Sequence, residues 1–315
     1  VDKVEDPRGG DYIRNMPPQG PDGVNTVYSV LNRGKRSLVL DLKTEEGRGV
    51  FRSLIGHYDV LVESFRPGVL AKLGLGYESL RALNPKLIYC AITGYGQDGP
   101  DAHRAGHDLN YLARAGVLSF TGPVGGPPQV PGVQVADIGG GALYAVIGIL
   151  AALSERTRSG EGRLVDISMC EGAATFAMFG FGGVSAQWKP APGGDVLMGG
   201  IAPYRTYLTK DGGVVALASL EPKFWIAFCT AIGRTPELQA MAPGPHQPAL
   251  MAELEGIFAA QTTEAWKAFA AANDCCIEVV PNADEVFEDP QHVARGLFED
   301  RDGVTHMRTP VAPMA

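Results

Sequence analysis

The sequence predicts an α/β chain: a Rossmann-like parallel sheet in a large first region, followed by a smaller α+β region. Three observations carry this. Short apolar runs alternate with helix-patterned stretches through the first half. Those runs are apolar on both faces, as strands are when helices cover a parallel sheet on two sides. Beyond a Gly/Pro-rich linker, Lys189–Gly194, the pattern changes to a hairpin signal and long helical stretches. The 315 residues suffice for two cores. The expected units are 1–188, 189–300 and a return segment, 301–315, toward the first.

Val1–Val4 reads as a strand, and Val24–Val30 and Ser37–Leu42 are β-rich. Thr44–His57 is predicted helical: Thr44 suits an N-cap, Glu45 and Glu46 complement the helix dipole, and Val50, Phe51, Leu54 and Ile55 follow helical spacing. Asp59–Phe65 is the next strand, closed by Arg66-Pro67-Gly68. Tyr77–Leu83 reads as a short helix and Lys86–Thr93 as a nearly continuous apolar strand. Gly and Pro crowd 94–141, which predicts mostly loop, and long loops in compact domains usually carry function.

A helix is predicted from about Gly140 to Thr157. Its apolar run, Ala142–Leu153, is shorter than the roughly 18–20 residues that span a bilayer and reads as buried. Arg163–Met169 is a strand. Tyr204–Leu208 and Val214–Ala218 flank Lys210-Asp211-Gly212-Gly213, a hairpin signal. Residues 249–300 carry eleven Asp or Glu against Lys267 and Arg295, the pattern of solvated helix faces.

Charge and cysteine content narrow the function. With 27 Lys+Arg, 35 Asp+Glu and a net charge of −8, the composition argues against nucleic-acid or membrane-surface partners. Cys90, Cys170, Cys229, Cys275 and Cys276 form neither a disulfide framework nor a CxxC zinc pair, so a reducing, cytoplasmic setting is expected. The chain opens without Met, which leaves a preceding segment and a targeting signal open.

Single motifs are weak. Gly94-Tyr95-Gly96-Gln97-Asp98-Gly99 matches GxGxxG after a strand, but Pro100 and polar residues follow where an apolar helix should open, so it reads as a shaped loop. His103 and His107 are four apart, yet Pro100 and Gly106 oppose a regular helix and no third ligand is spaced to help, so no metal is expected. Arg33, Lys35 and Arg36 around Gly34, with Lys43 beyond, suit either phosphates or a solvated basic turn. Asp137 precedes Gly139-Gly140-Gly141 and the apolar helix; it suits a cap or a group beside a ligand at the helix start.

Taken together, longer segments are more specific. Asn32–Lys43 (NRGKRSLVLDLK), Asp59–Gly76, Asn84–Pro100, Gly106–Ser119, Pro127–Gly141, Gly148–Gly172 and Gly199–Trp225 occur in order, nearly end to end. In these the chain resembles the class III CoA-transferase family, and within it the branch that racemises α-methylacyl-CoA. The resemblance implies a CoA-binding Rossmann-like domain, a smaller second domain and two interlocked chains that share each active site. Most members begin with one further strand and end with an extra helical segment.

The resemblance also implies site residues. Leu40, Asp41, Leu42 and Lys43 match the stretch lining the adenosine and phosphate part of CoA. Gly106, Asp108, Leu109, Asn110 and Tyr111 match the stretch at the thioester end, and Arg66 and Lys72 fall in a segment that meets CoA. A cofactor-binding Arg of some racemases falls near Asp6 here, with Arg8 as a possible substitute.

His107 and Asp137 match two acid/base groups that remove and return a proton α to the thioester, interconverting (R)- and (S)-2-methylacyl-CoA in lipid metabolism. Glu221 matches a carboxylate that partners the His. Gly139 and Gly140 are candidate backbone donors to the enolate oxygen. The expected partners are an acyl-CoA substrate and a second copy of the chain; coenzyme A enters with the substrate, and no prosthetic group or metal is expected. In the transferase branch the matching Asp is instead a nucleophile that forms an anhydride. A CoA-binding scaffold without catalysis is a third reading.

Overall fold

The computed structural model describes residues 1–188 and 191–311. Lys189 and Pro190 of the expected boundary, and 312–315 of the expected return segment, lie outside the described residues.

The fold is mixed α/β with parallel sheets. β1 (Asp2–Glu5) and β2 (Arg36–Val39) pair in parallel, with Asp2 opposite Arg36 and Glu5 opposite Val39. β3 (Val60–Glu63), β4 (Ile88–Thr93) and β5 (Leu164–Ser168) form a second parallel sheet with β4 in the centre. The period of two in β4 divides the core. Leu87, Tyr89 and Ala91 face one side with Phe51, Ile55, Leu70 and Leu80. Ile88 and Cys90 face the other, with Ala145, Ala152 and Val165. Both faces are covered, which is why the segment reads as a continuous apolar run.

Of the connections, α1 (Thr26–Leu31) precedes β2, and α2 (Glu45–Ile55) follows it. The Thr44 hydroxyl accepts from Gly47 N at 3.1 Å and caps α2. α3 (Val69–Lys72) and α4 (Tyr77–Leu83) complete that layer. Fully burying a side chain such as Leu80 contributes about 1.5–3 kcal/mol. β1 and β3 do not pair with one another. An open groove of about 700 Å³ runs beside them, lined by Val1, Val4, Leu38, Phe51, Val60 and Phe65 among others.

Three expectations are corrected here. Val24–Val30 is largely helix rather than strand: Asn25 Oδ1 accepts from Tyr28 N at 2.8 Å while its Nδ2 donates to Met16 O. This local cap outweighs the β preference of Val24, Val27 and Val30. The 94–141 loop contains α5 (Asp108–Arg114), and the helix expected from Gly140 starts at Val135 as a π-helix (Val135–Leu143) that runs into α6 (Tyr144–Ser159).

The apolar run in that helix is also less buried than expected. Ala145 and Ala152 pack inward, whereas Val146, Ile147 and Leu150 are 54%, 59% and 60% exposed. The continuous Val135–Ser159 helix has 25 residues, and its most apolar 18-residue stretch has mean hydropathy 1.8, long and apolar enough to cross a membrane by those two measures.

α7 (Met169–Ala174) and α8 (Met178–Ser185) follow β5. A separate antiparallel sheet then orders β6 (Tyr204–Leu208), β7 (Val214–Ala218) and β8 (Ile277–Val279). The β6–β7 hairpin has the expected register, Tyr204 opposite Ala218 and Leu208 opposite Val214. Against it pack α9 (Pro222–Ala231), α10 (Gln247–Ala259) and α11 (Thr263–Ala272), burying Trp225, Phe228, Phe258 and Trp266. α12 (Pro290–Ala294) leads to the hairpin β9 (Phe298–Arg301) and β10 (Val304–Met307), which returns to α1. Arg33 meets Glu299 there at 2.8 Å.

Candidate active site

Parallel α/β sheets place ligands beyond the carboxyl ends of their strands. β3 ends ahead of Arg66, β4 runs into Gly94–Gly106, and β5 into α7. At this edge Tyr111 is the anchor. Its ring is buried, and its hydroxyl donates to Gly106 O at 2.5 Å. A Cβ on Gly94 would overlap the ring, and one on Gly106 would lie 2.6 Å from it, so both positions require glycine for close approach. Tyr95 meets Tyr111 edge to face at 5.2 Å. The GxGxxG stretch thus seats an aromatic ring.

This anchoring holds the His107 loop. His107 is the N-cap of α5, its side chain is exposed, and its backbone N–H donates to Asn110 Oδ1 at 3.1 Å. His103 lies in the preceding turn, so the two imidazoles do not share a helix.

Asp137 lies in the first turn of the π-helix, inside it rather than before it. The helix start is capped from elsewhere: Asp108 Oδ1 accepts from Ala136 N at 2.7 Å and Asp137 N at 2.9 Å. The Asp137 side chain reaches solvent, yet protein crowds one side of it. That burial raises its pKa from the ordinary aspartate value, the negative Asp108 raises it further, and His107 pulls it back. His107 and Asp137, far apart in sequence, therefore lie within each other's field.

Gly139 and Gly140 are not free donors at a helix start. They lie within the π-helix, and Gly140 is buried where this helix crosses α7. A Cβ on Gly140 would sit 2.5 Å from Met169 O, and one on Gly172 would overlap Gly140 O. Close helix–helix packing accounts for this glycine.

The other expected residues divide. Lys43 is exposed, whereas Leu40 and Leu42 pack on the core. Asp41 Oδ1 accepts from Lys43 N at 2.9 Å and meets Arg8 at 3.2 Å. Arg8 also pairs with Asp6, holding that carboxyl down to about 2. The structure therefore sets Arg8 beside the Leu40–Lys43 stretch. Arg66 is exposed, and its charge acts on Tyr111. Leu109 is exposed on α5, and Lys72 is exposed in the last turn of α3. In the basic turn, Arg33 pairs with Glu299, Arg36 with Asp2 at 2.7 Å, and Lys35 donates to Asn32 at 3.2 Å; these are intramolecular ties.

Glu221 is not brought to His107 within this chain by any hydrogen bond or ion pair among the described residues. It is the N-cap of α9 in the second region, near Cys276, whose thiol is pushed up by burial and then by Glu221. Sequence reasoning missed the part of Asp108 at the π-helix start. Its adjacency to His107 was visible, but nothing local announces a partner 29 residues away.

Comparison with known proteins gives three results. The family model described as CoA-transferase family III matches residues 1–315. The chain is 38% identical over 301 residues to the mouse alpha-methylacyl-CoA racemase, covering 92% of this chain and 79% of that protein. It is also 38% identical over 329 residues to the succinate–glutarate CoA-transferase of Agrobacterium fabrum, covering 99% and 82%. Among solved structures, a CAIB/BAIF family protein from Brucella suis superposes with a TM-score of 0.85 at 33% identity, covering 99% of this chain and 84% of that one.

Proposed function

The chain belongs to CoA-transferase family III, an enzyme family that includes racemases and transferases, and on that premise we propose that it interconverts (R)- and (S)-2-methylacyl-CoA by two-base proton transfer. The observation that carries this reading is that His107 and Asp137 lie at one strand-end edge: Asp108, next to His107 in the chain, accepts from Asp137 N at 2.9 Å, and the His107 charge acts on the Asp137 carboxyl.

In one direction the His107 imidazole takes the α-proton. The C–H bonding pair moves into the enolate, with charge on the thioester oxygen, and Asp137 returns a proton to the opposite face. That step requires a protonated Asp137 carboxyl, and burial and Asp108 push its pKa in that direction. The reverse direction exchanges the roles. Coenzyme A enters with the substrate, with Lys43, Arg8 and Arg66 as its cationic contacts. Removing a proton α to a thioester asks only for the two side chains and donors to the oxygen.

An interlocked homodimer belongs to the same proposal. A second copy would bring Glu221 to His107 to orient the imidazole and stabilise its charged form. The exposed apolar residues of the Val135–Ser159 helix and α8, including Ile147, Leu150, Met178 and Phe179, support such a face. The five free cysteines support a reducing, cytoplasmic setting.

The alternative is transfer of CoA between carboxylic acids. There Asp137 would attack the thioester carbon, expelling the thiolate and forming an anhydride. Equal identity to a CoA-transferase favours this reading, whereas its chemistry has no need of an imidazole such as His107 beside Asp137. Proton NMR decides between them. One pure epimer of a 2-methylacyl-CoA is incubated in D₂O beside an acceptor carboxylate. Loss of the α-proton signal with both epimers appearing is expected; an intact α-proton with CoA moved to the acceptor would overturn racemisation.

A further inference from the structure

We propose that Asp108 is a positioning residue for Asp137: its carboxylate pins the first turn of the π-helix to the His107 loop and sets a fixed negative charge beside the Asp137 carboxyl. The inference rests on the reading of Asp137 as the reacting carboxyl, and it changes the role expected of Asp108, from ligand contact to protein tie.

A single carboxylate oxygen accepts two backbone bonds. One oxygen, Asp108 Oδ1, accepts from Ala136 N at 2.7 Å and from Asp137 N at 2.9 Å. These are N–H groups of the first helical turn, which have no acceptor within the helix and favour a negative charge. Because Asp108 follows His107 directly, a single side chain ties together the two segments that bear the reacting groups. Packing of Leu112 and Tyr111 on Ala136 closes the same junction.

A neutral acceptor would satisfy those N–H groups as well. Asn25, Thr44 and Thr262 do so at other helix starts in this chain. What a carboxylate adds is charge. Around Asp137 the acting charges are Asp108, which raises its pKa after the larger effect of burial, and His107, which lowers it. Tyr111 on α5 feels Asp137 and Arg66. From the other elements packed on the π-helix, the charges engage elsewhere. Cys170 and Glu171 of α7 interact with one another, and Cys170 also with Arg114 and Asp101. Asp166 of β5 accepts from Gln97 N, Tyr89 of β4 donates to Glu63, and Cys90 feels the charges of Glu63 and Asp166. On α6, Tyr144 bonds Thr175. Removing the Asp108 charge while keeping its acceptor therefore lowers the Asp137 pKa.

The test uses the full chain with Asp108→Asn and Asp108→Ala. Asp137 is titrated by carboxyl ¹³C NMR, its resonance assigned with Asp137→Asn, beside pH profiles of α-proton exchange and separate kcat and KM. In Asp108→Asn the Asp137 midpoint and the matching limb of the profile are expected to move to lower pH with KM unchanged. In Asp108→Ala, kcat is expected to fall by about 10–100-fold through misplacement of Asp137. An unmoved midpoint in Asp108→Asn, or a raised KM with kcat and profile unchanged, would overturn the inference and make Asp108 a ligand contact. The midpoint decides this whether or not the enzyme exchanges the α-proton, so failure of the racemase reading is seen separately, as absence of exchange in the unaltered protein.

Discussion

The two regions of the chain handle apolar surface in opposite ways. The second gathers Tyr207, Trp225, Phe228, Phe258 and Trp266 into one core, with Tyr207 stacked on Phe258 at 4.5 Å and Trp266 4.4 Å beyond. The first divides its burial into separate clusters on the two faces of β4 and around Tyr111. It also leaves Val146, Ile147, Leu150, Met178 and Phe179 in solvent. The reacting residues proposed here, His107 and Asp137, belong to the first region, on segments that the sheet positions but does not cover. A self-sufficient core makes a platform, whereas a region with open faces and strand-end loops can offer surface to substrate and partner.

Five perturbations sharpen or break this contrast. Asp137→Asn should cost about 10²–10⁴-fold in α-proton exchange with an unchanged melting temperature, because the side chain is exposed; a large fall in Tm would give Asp137 a structural part. Phe258→Ala should cost about 3–5 kcal/mol, read from the urea midpoint. A cost below about 1 kcal/mol would show that the aromatic core is not what holds the second region.

Next come two changes in the first region. Glu5 is buried and accepts from Arg14 at 2.8 and 3.0 Å, and from Ser37 and Asp11 N. Arg14, ahead of burial's opposing effect, holds its pKa well below the ordinary value. Its contribution is therefore complete above the unfolded carboxylate range near pH 4.5 and is lost as pH falls from there toward the lower folded pKa. Glu5→Gln should cost about 1.5–3 kcal/mol at neutral pH and flatten the acid side of the stability profile; an unchanged acid side would sink this account.

Gly172→Ala must move backbone at the crossing of α7 with the π-helix. It should cost about 1–3 kcal/mol and reduce exchange activity with it, since that helix carries Asp137; full activity would show that the crossing does not position the site. Arg36→Ala should be smallest, with little change in melting temperature, because Arg36 is 83% exposed in its pair with Asp2 and water and salt screen such pairs. Thermal unfolding in low and high salt would check it.

Much of the fold was legible. Thr44 capping α2, the apolar β4 and the β6–β7 hairpin depend on residues close together in sequence, whose preferences agree with the final packing. The strand expected at Val24–Val30 failed because Asn25 offered a cap whose amide also reaches Met16. At the site, His107, Asp137 and Lys43 were named from resemblance, and the first two are brought together. Gly139 and Gly140 were misjudged because the helix begins earlier and crosses α7.

Periodicity, caps and turn residues act over a few positions, so the sequence by itself determined the α/β alternation, the change to an antiparallel hairpin and the family resemblance. The electrostatic surroundings of Asp137, the use of Asp108 as its tie, and the seating of Tyr111 against two glycines were decided by tertiary structure alone. The tie joins groups 29 residues apart at hydrogen-bond distance, and burial and charge act on a side chain only once that neighbourhood exists.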